Sequence, residues 1–173
     1  TNIGLQLLAT VSAHELGFVP LEEMTARLEA TFESLGRMAR YRGHFYNWYD
    51  LETLAVLPPA YISTVDSGNL AGHLVALRQA CLALATPGPC ATRLAAIAER
   101  AYGYAMAMDF SFLYAEDRQL LSIGYQEGSH TLDPSSYDLL ASEARLASFM
   151  AIAKNDVPVE HWFRLGRTLT RAS

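Results

Sequence analysis

Glu143 has the sequence surroundings expected of a catalytic carboxylate. On a helix, the residues three and four positions away from it are Leu139, Leu140, Leu146 and Ala147. A carboxyl group held among apolar side chains loses its contact with water, which raises its pKa and keeps the proton in place near neutral pH. A general acid needs that property. The pattern therefore predicts a buried acid on an apolar helix face.

A structural role for Glu143 is the alternative. A buried carboxylate also persists where an arginine neutralises it, and Arg145 and Arg78 are candidate partners. A buried, unpaired Glu143 at the floor of a cleft would favour catalysis. An ion pair and a filled cleft would favour a scaffold.

Aromatic and polar side chains are interleaved between residues 41 and 50. Those that we expect to bind a ligand are Arg42, His44, Tyr46, Trp48, Tyr49 and Asp50. Flat rings beside hydrogen-bonding groups suit a ligand with apolar faces and polar edges, such as a sugar ring. A long loop pinned to the body by its aromatic residues is the other interpretation.

A second set of polar residues lies at the start of the third predicted helix. Asn69 and His73 follow Asp66 by about one and two turns, which places all three on one side. They would form a hydrogen-bonding wall of the same pocket. Asp66 or Ser67 would also serve as the N-cap of this helix, and that role alone explains Asp66 equally well.

Composition limits the possible partners. The chain has 173 residues, 51% of them hydrophobic and 18% charged, with a net charge of −5. Because it has no basic tract, nucleic acid and anionic membrane surfaces are not expected partners. Its apolar runs fall short of a membrane span. The spacing of the histidines and of the two cysteines matches no metal site, so we expect no metal and free thiols.

Hydrophobic periodicity predicts paired antiparallel helices, so the fold class expected is all-α with one small β-hairpin. The helices are predicted over residues 2–16, from Pro20 through Leu35, from Asp66 through Leu84, and over 92–108, 135–154 and 158–164, with the hairpin over 112–125.

Five motifs carry a resemblance to a known family. They are YRGHFYNWYD, STVDSGNLAGHL, SIGY, YDLLASEARLASF and HWFRLGR. Together they resemble the cyclic β-1,2-glucan synthases, within their glucoamylase-like (α/α)6-barrel region, from Thr1 to Arg167. The resemblance implies that residues 1–173 are a single partial domain, about the N-terminal half of such a barrel. The start inside an apolar helical pattern and the abrupt end at Ser173 agree with a piece of a larger protein.

The activity that the resemblance implies is transglycosylation on β-1,2-glucan, which closes a linear chain into a ring. Glu143 would be the general acid/base, no cofactor would be needed, and a second carboxylate would lie beyond Ser173, leaving the isolated chain inactive. A β-1,2-glucan hydrolase and a non-catalytic glucan-binding or structural helical module are the alternatives.

The expected partners follow from the same resemblance. They are a β-1,2-glucan chain, the remaining half-barrel and the neighbouring domains, with self-association of the isolated chain through its uncovered apolar surface. The resemblance also implies a location on the cytoplasmic side of the bacterial inner membrane, as a soluble part of a membrane-anchored protein.

Overall fold

Helices form about half of the chain. A computed structural model describes residues 1–168. The helices of this part are α1 (Asn2–Glu15), α2 (Leu21–Arg37), α3 (Thr64–Leu84), α4 (Ala91–Ala107), α5 (Arg145–Ala153) and α6 (Glu160–Arg164). The first four match the sequence periodicity closely, and a tight turn with Gly17 at positive φ separates α1 from α2.

The strands are short and more numerous than predicted. They are β1 (Arg40–Tyr41), β2 (His44–Phe45), β3 (Tyr61–Ser63), β4 (Tyr114–Ala115), β5 (Leu120–Leu121), β6 (Gly124–Gln126) and β7 (Thr131–Leu132). β1 pairs with β2 and β4 with β5, while β3, β6 and β7 form an antiparallel sheet. The hairpin predicted over residues 112–125 is present as β4 and β5. The expectation of a single hairpin is wrong for residues 1–168, because strands of two or three residues are too short to show an alternating pattern.

Helices α1, α3 and α5 form one layer, and α2 and α4 cover them as a second layer. Thr1 of the first turn contacts Asp66 at the start of α3, so α1 and α3 begin at the same end. Gly68 faces Ala147 near the start of α5, and Val75, two turns later, shares a cavity with Met150. The contact positions advance in the same direction along α3 and α5. The three helices are therefore parallel, and their N-terminal ends are neighbours.

Glycines on α3 permit this close packing. A Cβ atom built on Gly68 would lie 2.3 Å from the Cα of Ala147, and one on Gly72 would lie 2.6 Å from the Leu146 side chain. Because the first contact is with backbone, no rotamer change can relieve it. Two glycines four residues apart thus give α3 a face on which α5 rests.

The segment between α2 and α3 is pinned to the core by His44. Its ring is fully buried, its Nε2 donates to the carbonyl of Asp109 at 2.8 Å, and it packs edge-on against Phe110 and Phe112. Arg42 adds an ion pair of 2.6 Å with the Asp109 carboxylate. Burial lowers the pKa of His44 to about 4, partly opposed by the Asp109 hydrogen bond, so the ring is neutral at pH 7.

The predicted fifth helix, residues 135–154, is wrong over its first half. α5 begins only at Arg145. The carboxylate of Asp133 accepts from the Ser135 amide at 3.0 Å and closes a turn. Leu140 then donates its amide to the Gly166 carbonyl at 3.0 Å, so this segment runs beside the chain after α6. A turn and a long-range pairing have replaced the capping box that the sequence suggested.

α6 is fastened by a buried histidine. His161 contacts the Ser148 hydroxyl through Nε2 at 2.9 Å and the Gln119 carbonyl through Nδ1 at 3.1 Å. Since a carbonyl only accepts, Nδ1 carries the proton and Ser148 donates to Nε2. One ring thereby joins α5, α6 and the β4–β5 turn.

Replacing Gly68 with alanine tests the α3–α5 contact. We expect Gly68→Ala to destabilise the chain, because the new methyl group forces α5 away and its cost exceeds the gain of up to ~1 kcal/mol in helix propensity. Gly103→Ala is the matched control, since Gly103 lies in α4 with nothing within 4 Å of its Cβ position. It should stabilise the chain by ~0.5–1 kcal/mol. Urea unfolding measures both, and equal shifts would contradict the close contact.

His44 should make stability depend on pH. The unfolded chain binds a proton near pH 6.5, whereas the folded chain does so only near pH 4. Stability is therefore unaffected above pH 6.5 and falls between pH 6.5 and 4, by about 3 kcal/mol. In His44→Gln this loss should be absent. Urea unfolding of both proteins at pH 7 and pH 4.5 gives the difference, and parallel losses would show that His44 does not titrate this way.

Candidate functional site

The starts of α1 and α3 meet the aromatic segment at one small pocket. Its volume is about 320 Å³. Asp66 lies in the first turn of α3, and Thr1 precedes α1. The pocket side chains that can bind a polar ligand are those of Thr1, Tyr46, Asn47, Trp48, Tyr49 and Asp66. The aromatic segment and the start of α3 are therefore brought together, as the sequence pattern suggests.

Asp66 is anchored on one side only. Its Oδ1 accepts from the Thr1 hydroxyl. Burial would raise the pKa of Asp66, but hydrogen bonds with Thr1 and Ser63 oppose it and hold the pKa below the ordinary value. Asp66 is thus a carboxylate at neutral pH. It is not the N-cap predicted from sequence: Ser63 fills that role, accepting from the Asp66 amide at 3.2 Å.

Asn69 and His73 lie on the same side of α3 as Asp66, but that side faces α1. Asn69 donates to the Thr1 hydroxyl at 3.4 Å. His73 is half-buried against Gly4, where a Cβ atom would come within 2.2 Å of its Nδ1. Neither side chain lines the pocket, so the expected wall reduces to Asp66. The helix period gave the common side correctly, but it could not say what covers that side.

Tyr46, Tyr49 and Trp48 line the pocket in different ways. The Tyr46 hydroxyl donates to Glu127 at 2.9 Å, and the Tyr49 hydroxyl donates to the Ala39 carbonyl at 2.7 Å. Burial raises the pKa of each phenol to about 12, so both remain protonated. Trp48 is 45% exposed and forms the boundary with a larger groove of about 880 Å³ between α1 and α2. The exposed part of its ring is available to a ligand.

Three of the ligand-binding residues predicted between 41 and 50 also lie outside the pocket. His44 is in the core, and Arg42 is held by Asp109 behind it. Asp50 accepts from the amides of Glu52 and Thr53 at 3.0 and 2.7 Å and thereby caps a turn at the larger groove. The alternation of aromatic and polar residues could not separate those that face a cavity from those that fix the loop.

Glu143 is exposed, one residue before the N-cap Ala144 of α5. The predicted burial on an apolar helix face is therefore wrong, because the helix on which that prediction depended starts after it. No ion pair involves Glu143 within residues 1–168. Its charge, together with that of Asp66, adds to the effect of burial in raising the pKa of Tyr137. Both carboxylates thus raise the pKa of the same phenol.

Sequence reasoning missed Thr1 and Tyr137. Thr1 gave no signal, because a single threonine before a helix is an ordinary N-terminal residue. The sequence predicts a helix over the segment that contains Tyr137. A helix there gives no indication that Tyr137 lies near Asp66.

Metal and thiol chemistry find no support in the described residues. No group of three histidine, cysteine, aspartate or glutamate side chains there could hold a metal ion. Cys81 and Cys90 are buried and unbonded to each other, and the Cys90 thiol donates to Glu22 at 3.1 Å. None of the helices in residues 1–168 has the length and apolarity to cross a membrane.

Comparisons with known proteins agree on one relationship. The chain is similar to the cyclic β-(1,2)-glucan synthase NdvB of Rhizobium meliloti (strain 1021), with 31% identity over a 288-residue alignment covering 98% of this chain. It spans only 10% of that synthase, and the alignment includes gaps, being longer than the chain. No family model matches the sequence.

A solved structure with the same fold is that of a glucoamylase candidate from Bacteroides caccae ATCC 43185. The TM-score is 0.71 at 19% identity, covering 87% of this chain and 36% of that one. At this identity the likeness concerns the fold alone. Over nearly its whole length the chain is therefore a relative of the cyclic β-(1,2)-glucan synthases, in a segment with a glucoamylase-like helical fold, as its motifs predict.

Proposed function

We propose that this chain is part of a domain that binds β-1,2-glucan and closes linear chains into rings by transglycosylation. The observation that carries the proposal is the pocket at the starts of α1 and α3. There the Asp66 carboxylate, two phenols and the partly exposed Trp48 ring line one cavity. A glucose unit needs hydrogen-bond partners at its edge and a flat apolar surface for its face.

Glu143 is the proposed general acid/base. It would give a proton to the glycosidic oxygen as the bond to the anomeric carbon breaks. It would then take the proton of the attacking hydroxyl, which belongs to the other end of the same chain, and the ring would close. The effect of Glu143 on Tyr137, which Asp66 shares, supports a place for Glu143 near the start of α3. The second carboxylate of the usual pair is proposed to lie after Ser173.

The larger setting belongs to the same proposal. The two helix layers would be about half of an (α/α)6 barrel, and the rest of the barrel and further domains would complete the synthase. The small share of NdvB that the chain spans supports this arrangement. On this proposal the isolated chain is inactive, and the complete synthase works on the cytoplasmic side of the bacterial inner membrane. Self-association of the isolated chain stays a prediction.

A non-catalytic glucan-binding module is the second candidate. The exposure of Glu143 favours it, because an acid in open water lacks the environment that retains a proton at neutral pH. Hydrolysis would differ from ring closure only in that water replaces the attacking hydroxyl. The products of the reaction separate the three possibilities.

Replacing Glu143 with glutamine, which cannot donate a proton as an acid, tests the catalytic proposal. In the full-length synthase we expect Glu143→Gln to lower ring formation by about 10²–10⁴-fold, because glutamine cannot deliver a proton. Linear glucan should accumulate, since elongation does not use this residue. Glu33→Gln, an exposed acid on α2, is the matched control. The cyclic-to-linear ratio and the melting temperature are measured on one preparation. A folded variant that makes rings normally would leave the binding module as the function.

Trp48 should contribute to affinity without holding the fold together. Trp48→Ala removes a stacking surface worth ~0.5–1.5 kcal/mol beyond buried area, so the Kd for linear β-1,2-gluco-oligosaccharides should rise by about 2- to 10-fold. Phe18→Ala is the control, because Phe18 is 78% exposed and lies between α1 and α2, outside the pocket. Calorimetric titration of the 173-residue chain gives both values. A variant that loses its unfolding transition but keeps its affinity when folded would make Trp48 a core residue.

A further inference from the structure

Glu127 is tied to the aromatic segment although it lies outside the pocket. It begins the turn between β6 and β7, and the amide of His130 closes this turn by donating to the Glu127 carbonyl at 3.0 Å. The Glu127 carboxylate accepts from the Tyr46 hydroxyl at 2.9 Å. Both residues are partly buried, and 81 positions separate them in the sequence. A tertiary contact of ordinary hydrogen-bond length thus joins this turn to a residue that lines the pocket.

The start of β3 holds both sides of this contact in place. The Ala60 carbonyl accepts from the amide of Glu127 at 3.0 Å. The next carbonyl, that of Tyr61, accepts from the amide of Asn47 at 2.9 Å. Neighbouring carbonyls of one segment therefore fix the backbone of the β6–β7 turn and the backbone of the aromatic segment. The same segment runs through β3 directly into α3.

The hydrogen bond to Glu127 determines what the Tyr46 phenol can offer a ligand. A phenol has one proton and a carboxylate only accepts, so the proton of Tyr46 is directed to Glu127. The phenol oxygen keeps its capacity to accept, and donating to a carboxylate strengthens that capacity. The Tyr49 hydroxyl is already used by the fold, since it accepts from the Tyr46 amide at 2.8 Å and donates to the Ala39 carbonyl at 2.7 Å. Tyr46 is thus the phenol left for a ligand, as an acceptor.

We propose that Glu127 is a positioning residue of the glucan site: it takes the proton of Tyr46, so that the Tyr46 oxygen meets the sugar as a hydrogen-bond acceptor. The proposal rests on the proposed function for the identity of the ligand. Tyr46 and Asp66 line the same pocket, and both then accept. Such a pair selects for the hydroxyl groups of a sugar, which can donate, over groups that only accept, such as a carboxylate.

A double-mutant cycle separates action through Tyr46 from direct contact with the sugar. Calorimetric titration of the 173-residue chain with linear β-1,2-gluco-oligosaccharides gives the Kd of each variant. Tyr46→Phe and Glu127→Ala should each raise the Kd by about 2- to 10-fold, the usual contribution of one hydrogen bond. The double variant should match Tyr46→Phe, because Glu127 then has nothing to position. If the two effects multiply, Glu127 acts by another route and the positioning role is overturned.

Two further variants control this cycle. Glu127→Gln keeps a carbonyl oxygen that accepts from the phenol, so its Kd should stay within about twofold of wild type. Glu116→Ala removes an exposed acid from the turn between β4 and β5, outside the pocket, and should leave the Kd unchanged. Melting temperatures show whether each variant is folded. A folded Glu127→Gln that binds as weakly as Glu127→Ala would contradict the proposal, because charge rather than the direction of the proton would then matter.

A ¹³C NMR titration of the Tyr46 ring reports on the proton and needs no sugar. Burial raises the pKa of Tyr46 to about 12, and the hydrogen bond to Glu127 and its charge contribute to this value. The pKa should therefore be lower in Glu127→Ala, whereas Tyr41 and Tyr49, the other groups that raise it, are present in both proteins. Equal titration midpoints would show that Glu127 does not hold the proton, and would overturn the positioning role.

The two proposals fail differently. If Trp48→Ala weakens binding while Tyr46→Phe and Glu127→Ala bind like wild type, the positioning role is overturned and the proposed function stands. If the wild-type chain binds no glucan at all, the proposed function fails, and the role of Glu127 toward a sugar fails with it.

Discussion

The contact between Gly68 and Ala147 is the constraint on which the arrangement of the site depends. Two parallel helices approach so closely there that a single methyl group would separate them. Because the contact lies within the first turns of both helices, it fixes the starts of α3 and α5 side by side. Asp66 lies two residues before this contact and Glu143 four residues before it. Helix packing therefore brings two carboxylates from distant parts of the sequence to one end of the layer.

Electrostatics at that end follow from the same geometry. The N-terminal end of a helix carries partial positive charge, which favours the carboxylate of Asp66 in the first turn of α3. The phenols around it are neutral, since burial raises the pKa of Tyr46 and of Tyr49 to about 12. The pocket thus combines a fixed negative acceptor with neutral groups that can donate or accept. Such a set suits hydroxyl groups better than it suits a charged ligand.

The sequence predicted local features well and long-range ones less well. Periodicity located α1 to α4 because each has an apolar stripe that repeats over about three turns or more. It failed for residues 135–144, where leucines at helical spacing instead pair with the chain around Gly166. The same error led to the prediction that Glu143 is buried, since its apolar neighbours were inferred from a helix that is absent there. His44 shows the converse case: composition placed it in a ligand-binding loop, whereas tertiary packing placed it in the core.

The exposure of Glu143 bears on how such a site would work. A carboxylate becomes a general acid when water is removed from it, and the described residues do not remove it. On the proposed function, desolvation would come from what covers Glu143, and a bound glucan chain is itself a large covering group. Catalysis by Glu143 would in that case be coupled to occupation of the site, so that proton transfer proceeds only when a sugar has displaced the water. Asp66 needs no such step, because the hydrogen bond from the Thr1 hydroxyl is made before any ligand arrives. On the proposed function, the two carboxylates would divide into one that is ordered in advance and one whose environment the substrate completes.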